Sequence, residues 1–244
     1  MTATPMEFGP PGNLASQVRR VESHSTAGSI ARVIGKGYAV TALALVAAGL
    51  VLTKVIDGTA LVRWDRRVIV DFASHRTTSQ TRLSAFWSKS ADAPSIVVVA
   101  LIIMIVLAIG RHWREIAWVG VVLATELALF LTVSYIVGRV RPDVAHLGSV
   151  PSTGSFPSGH IAVTVALYGT VATLIRRHIN AKAASWCAVI WMVVAAGFVG
   201  WARMYRGMHH PLDVIAGAGL GVAVWWLGAR AFSQNPPQHK ELLE

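Results

Sequence analysis

The chain has 244 residues, 54% of them hydrophobic and 14% charged, with a net charge of +10 and a mean hydropathy of +0.53. A soluble domain carries roughly 25% charged residues, so a soluble enzyme, a nucleic-acid-binding module and a disordered chain all fit poorly. The cations are sparse and sit between long apolar runs, the pattern of an integral membrane protein with its charges at loops and ends. In chain order, residues 1–36 are rich in Pro, Gly, Ser and Ala and read as a flexible N-terminal tail rather than a signal peptide. Six runs then approach the ~20 apolar residues that a spanning helix needs. They cover residues 37–56, 94–110, 113–138, 160–175, 183–202 and 212–229. The fold predicted is all-α, a six-span transmembrane helical bundle over residues 37–232, followed by a C-terminal tail over 233–244.

The longest connection is 57–93. Leu61, Trp64, Val68 and Phe72 recur there at helical spacing, with Arg63, Asp65, Arg66 and Arg67 between them. That pattern predicts an amphipathic helix, either lying in the interface or packed on the spans. The single cysteine, Cys187, excludes an internal disulfide and a Cys-rich metal site and reads as a small packing residue. Gly217 and Gly221 form a Gly-x3-Gly pair that permits close helix approach.

Parity assigns the loops to faces. Loops after spans one, three and five share one face, and the tails share the other with the loops after spans two and four. Eleven cations on the tail face oppose ten on the other, so charge alone does not orient the chain. Setting aside Arg139, Arg141, Arg203 and Arg206 as functional leaves eleven against six and favours cytoplasmic tails.

Three polar clusters fall on the face opposite the tails. Residues 138–143 read Gly-Arg-Val-Arg-Pro-Asp, residues 155–160 read Ser-Phe-Pro-Ser-Gly-His, and residues 203–213 run from Arg203 to Asp213. The inventory suits a phosphate. Arg141 and Arg203 offer bidentate forks, and Ser158 and Gly159 stand where a helix begins and its free amides favour an anion. His209 and Asp213 are four apart, so a helix starting near Pro211 lets the carboxylate reach the imidazole and fix its tautomer. A second histidine, His160, is then available to protonate a leaving oxygen. The alternative is a zinc site from His160, His209, His210 and Asp213, which the neighbouring arginines oppose.

These residues resemble the signature of the phosphatidic acid phosphatase type 2 superfamily: Lys-x6-Arg-Pro, Pro-Ser-Gly-His, and Ser-Arg-x5-His-x3-Asp. Arg141-Pro142 matches the end of the first motif, residues 157–160 match the second in full, and Arg203, His209 and Asp213 match the third at the family spacing. Two positions depart: Ser134 stands in place of the lysine and Ala202 in place of the serine. Arg139 is a nearby candidate to replace the lost cation.

The resemblance implies a membrane phosphatase acting on a lipid phosphate monoester or diphosphate, with no metal or other cofactor. His209 is implied as the nucleophile that becomes phosphohistidine, Asp213 as its orienting carboxylate, and His160 as the acid and later the base. Arg141, Arg203, Ser158 and Gly159 are implied to hold the phosphoryl oxygens, at a site on the outer face of a cell membrane. Phosphatidic acid, phosphatidylglycerophosphate and a polyprenyl diphosphate all fit this chemistry. Two alternatives stay open. A phosphotransferase has the same site and a different acceptor. A transport or non-catalytic lipid-binding protein finds its best feature in Glu126, a carboxylate in mid-span.

Overall fold

The structure is a computed structural model that describes residues 12–179 and 181–233, with side chains from residue 27 onward. Every regular element among them is helical: α1 (Gly12–Leu50), a π-helical turn (Val51–Val55), α2 (Ala60–Ser74), α3 (Thr78–Ser90), α4 (Ala93–Ile109), α5 (Trp113–Val137), α6 (Gly159–His178), α7 (Lys182–Tyr205) and α8 (Pro211–Ser233). Five segments are long and apolar enough to cross a membrane: α1 with its π turn from Ala27 to Val55, and α5, α6, α7 and α8. A sixth is reached when α3 and α4, bent by 51° at their junction, are counted together as one broken span. Alone, α4 has 17 residues, about 26 Å of helix, so the second span runs slightly short of a bilayer's hydrocarbon core.

Local chemistry sets the ends. Pro94 sits in the first turn of α4, and Pro211 opens α8, positions where the missing amide costs no helical bond. Gly138 takes the left-handed conformation (φ 56°) that ends α5.

The pattern of exposure is that of a chain solvated by lipid. On α4, Val97, Val98, Leu101, Ile102, Ile105 and Val106 are all exposed; on α7, Ile190, Trp191, Val193 and Phe198 are exposed. The interior is built around α6, the most enclosed span, and α1 is the most peripheral. Leu167 and Ala166 of α6 meet Trp118, Val122 and Leu129 of α5 and Leu220 and Val224 of α8 in one core. The Gly-x3-Gly pair makes the α6–α8 contact possible. A side chain at Gly217 would collide with the carbonyl of Ser158, and one at Gly221 with the carbonyl of Ala162, whereas Gly219 faces open space.

Three local readings change. Residues 12–36 are helical and continuous with the first span, where composition predicts a flexible tail. Pro5, Pro10 and Pro11 all precede Gly12, so nothing after them breaks the helix. Residues 1–11 and 234–244 lie outside the described residues. The connection 57–93 contains two helices rather than one, and α2 packs through Val62, Asp65 and Ile69. Leu61 and Trp64 of the anticipated apolar stripe face outward and are half exposed. Cys187 is exposed on α7 rather than packed.

Candidate active site

The three clusters converge at one end of the bundle, where α5 and α7 finish and α6 and α8 begin. Backbone bonds stitch them together. The Ser155 amide donates to the Arg139 carbonyl (2.8 Å), the Ser158 amide to the Asp213 carbonyl (3.0 Å), and the Leu147 amide to the Arg206 carbonyl (3.0 Å). Arg76, from the turn between α2 and α3, ties the third cluster to the loop after the first through the carbonyls of Tyr205 (2.9 Å) and Ala145 (2.7 Å).

His209 is almost fully buried at 3% exposure. Its Nδ1 lies 2.7 Å from the Ser155 carbonyl oxygen. A carbonyl only accepts, so Nδ1 carries the hydrogen and Nε2 of the neutral ring keeps its lone pair. Burial, then the charges of Arg203, Arg141 and His160, holds this imidazole well below its ordinary value of 6.5. The ring is therefore neutral at pH 7, the form that can act as a nucleophile.

The expected contact between Asp213 and His209 is replaced by a different arrangement. Asp213 Oδ2 stands 3.9 Å from His209 Nδ1, beyond hydrogen-bonding range. It instead accepts the His210 amide at 2.8 Å and faces His210 Nδ1 at 3.3 Å. Asp213 Oδ1 is paired with Arg139 Nη1. The other end of Arg139 meets Asp65 Oδ2 at 2.5 Å, and Asp65 Oδ1 accepts the Leu212 amide at 2.8 Å, capping α8 from across the fold. All three charged groups are buried. Arg139 is thus not a substitute for the family lysine, because both ends of its guanidinium are already engaged by carboxylates. Ser134 itself is buried, with its hydroxyl 3.4 Å from the Gly154 carbonyl, and Ala202 is fully buried in α7.

The remaining motif residues present unused donors. Among the described residues, buried side-chain atoms without a hydrogen-bond partner include Arg141 Nε, Arg203 Nε and Ser158 Oγ. Such orphans are rare in a finished interior, and three fall within the matched motifs. Arg203 anchors one amino group on Ser88 Oγ (2.9 Å). Arg141 spends both amino groups on the carbonyls of Met208 (2.7 Å), Thr153 and Gly154, so it offers a single edge nitrogen rather than an open fork. Burial lowers the Arg141 pKa, opposed by Asp213. Ser158 precedes α6 without capping it, and the first helical bond runs from the Ala162 amide, which leaves the Gly159 amide unused by the helix. A Cβ at Gly159 would crowd the Phe130 ring at 3.1 Å.

His160 brings in a residue the motifs do not contain. Its Nε2 lies 2.7 Å from Asp92 Oδ1, at the bend between α3 and α4. Asp92 is half exposed while His209 is sealed, so the site is more open on the α3–α4 side. A cavity of about 600 Å³ lies between α2 and the end of α5, lined by Leu52, Val62, Val137, Arg139, Arg141 and His210. It touches neither His160 nor His209. Of these partners, Asp65 was visible in the sequence only as a polar position of the amphipathic helix. Asp92 carried no periodic or motif signal beyond its place before Pro94, that of a helix cap.

Fold and site together define a polytopic membrane protein in which two histidines, two arginines and a helix start converge at one end of the bundle. The family model of the PAP2 superfamily matches residues 116–237. The chain belongs to that superfamily. It is 30% identical over 131 residues to phosphatidylglycerophosphatase B of Bacillus subtilis, covering 51% of this chain and 64% of the relative. It is 31% identical over 119 residues to lipid A 1-phosphatase of Rhizobium etli, covering 43% and 47% respectively. The match therefore spans less than two thirds of either relative's length. The crystal structure of a transmembrane PAP2-type phosphatidylglycerolphosphate phosphatase from Bacillus subtilis superposes with a TM-score of 0.72 at 22% identity, over 82% of this chain and 99% of that one. That likeness concerns the fold.

Proposed function

We propose that the protein is an integral-membrane lipid phosphatase that hydrolyses phosphate monoesters or diphosphates through a phosphohistidine. The observation that carries this reading is the convergence of three orphaned donors, Arg141 Nε, Arg203 Nε and Ser158 Oγ, with a buried neutral His209. Orphaned donors beside a nucleophile are what a trigonal-bipyramidal phosphoryl group needs, because its equatorial oxygens gain charge in the transition state. In the first half-reaction His209 Nε2 forms a bond to phosphorus as the bond to the leaving oxygen breaks. His160 gives that oxygen a proton. With Nε2 of His160 donating to Asp92, Nδ1 is the nitrogen left for this exchange. In the second half, His160 takes a proton from water, the water oxygen attacks phosphorus, and His209 leaves. The positive phosphohistidine ring is steadied by the Ser155 carbonyl and, through space, by Asp213.

The chemistry runs without a metal at this site. Asp213, the carboxylate of the third motif, is already taken by Arg139 and the His210 amide, and the charges of Arg141 and Arg203 acting on His209 oppose a dication there. The substrate class is a phosphate on a lipid that keeps its chain in the bilayer. Lifting that chain into water costs about 0.8 kcal/mol per CH₂, so the headgroup enters at the interface. The names of the relatives, phosphatidylglycerophosphatase and lipid A 1-phosphatase, support this class. The outer face is the proposed location, supported by the excess of cations on the tail side once the site arginines are set aside.

The test is phosphate release by the purified protein from phosphatidic acid, phosphatidylglycerophosphate and a polyprenyl diphosphate, with trapping of an acid-labile phosphoenzyme. Release from at least one lipid with a trapped phosphohistidine is expected. Undiminished release by a folded His209→Ala variant would overturn the mechanism.

A further inference from the structure

At the other end of the α5–α6 pair, about 30 Å of helix from the motif residues, a second cluster of titratable groups has no part in the proposed reaction. His112 precedes α5, Glu115 lies in its first turn, and His178 is the last residue of α6. One nitrogen or oxygen from each lies within 4.8 Å of the other two. His178 Nε2 is 3.4 Å from Glu115 Oε1, and the two imidazole rings are 4.2 Å apart between centroids.

The local backbone delivers His112 to this point. Arg111, just before it, is the single non-glycine with positive φ among the described residues, at 58°. That left-handed residue turns the chain sharply between α4 and α5. The His112 ring then folds over Gly110, where a Cβ would stand 2.7 Å from its Cδ2. His112 is not used to cap α5, and its ring nitrogens make no hydrogen bond within the described residues. The cluster thus holds two imidazoles and a carboxylate, with His112 and Glu115 half-buried and His178 exposed, on elements adjacent in space.

We propose that His112, Glu115 and His178 form a divalent transition-metal site of the zinc class, joining the start of α5 to the end of α6. Two histidines and a glutamate are a known three-ligand set for zinc, with water completing a tetrahedron. Bonds of ~2.0–2.1 Å place tetrahedral ligands about 3.3 Å apart, close to the spacing between His178 and Glu115. With every separation within 4.8 Å, metal binding requires the ligand atoms to draw together by at most about 1.5 Å. Of the four arginines in the same turns, Arg111, Arg114, Arg176 and Arg177, two are directed elsewhere: Arg114 donates to the Phe232 carbonyl at 2.8 Å, and the Arg177 guanidinium lies over the Trp118 ring at 4.4 Å. The four together weaken the affinity for a dication, and Arg114 and Arg177 occupy no ligand position. The competing account is an ion pair between His178 and Glu115 with His112 stacked beside it.

The experiment is a Co²⁺ titration of the full-length protein in detergent, read by ligand-field absorption, with Zn²⁺ as competitor. One Co²⁺ per chain with tetrahedral bands is expected, displaced by Zn²⁺. Binding should be lost in His178→Gln and in Glu115→Gln, each checked for native helix content, and kept in His209→Gln. Absence of binding to the wild type, or its persistence in both folded variants, overturns the proposal. So does loss in His209→Gln alone, which would place the metal at the motif end. Because the readout is metal stoichiometry, it is independent of phosphatase activity.

Discussion

Two regions build the motif end of the bundle, and they differ in kind. Residues 138–160 and 203–213 supply every group assigned to phosphorus chemistry. Residues 57–92 supply none, lie outside the stretch matched by the family model, and yet hold the first region in place. Asp65 caps α8 and ties down Arg139, Arg76 clamps the carbonyls around Tyr205, and Asp92 bonds His160. A signature names the groups that act, while the partners that orient them come from wherever the fold brings a complementary charge.

The comparison is sharpest at the two extremes. His209→Ala is expected to lower kcat by about 10⁴-fold or more, since a nucleophile acts as one unit with its acid. Turnover assays on the folded variant, with phosphoenzyme trapping, check this. In the supporting region, Asp65→Ala is expected to damage stability before chemistry. Removing one carboxylate of a buried Asp–Arg–Asp triad typically costs about 3–5 kcal/mol, seen as a lower unfolding temperature in detergent. A variant with unchanged stability and lost activity would move Asp65 into the first region.

Asp92→Asn tests the boundary between the two. It keeps the shape of the side chain and removes its charge, so kcat should fall about 10- to 100-fold, at or below the ~10²-fold lower end of general acid–base assistance, because Asp92 acts through His160. KM should change little, and Asp92→Glu should recover part of the rate. Gly217→Ala brings a methyl group against the Ser158 carbonyl and should cost about 1–3 kcal/mol, whereas Gly219→Ala, facing open space, should cost nothing measurable. Thermal unfolding of the two side by side decides it.

The smallest effects concern protonation. The folded-state pKa of His209 is depressed, so below 6.5 the unfolded chain binds a proton that the native site refuses. That part of the stability is present above pH 6.5 and is lost as the pH falls. Wild-type protein should lose more thermal stability than a His209→Gln variant between pH 6.5 and 5. Glu126→Gln should leave turnover within about twofold. Among the described residues Glu126 Oε1 is buried without a partner, at mid-length of α5, and a marked loss of turnover would instead support a path for protons through the bundle.

Much of this was legible in the residues alone. Apolar run length marked the spans to within a few residues, except where the first helix extends back beyond residue 37. Loop parity placed Arg141, His160, Arg203 and His209 on one face without any structure. The Gly217–Gly221 spacing announced a close helix approach, and the structure makes α6 the partner. These are local or periodic features, and bilayer thickness converts run length directly into topology.

Only the tertiary structure decided who partners whom. Asp213 lies four residues from His209, and helical spacing pointed it there, but Arg139, from 74 residues away, draws the carboxylate off, and the Ser155 carbonyl fixes the tautomer instead. Asp65 reaches Leu212 across 147 residues and Asp92 reaches His160 across 68. No periodicity encodes such pairs. Buried charges must find an opposite charge or a hydrogen bond, and only the packing of the helices determines which ones are within reach.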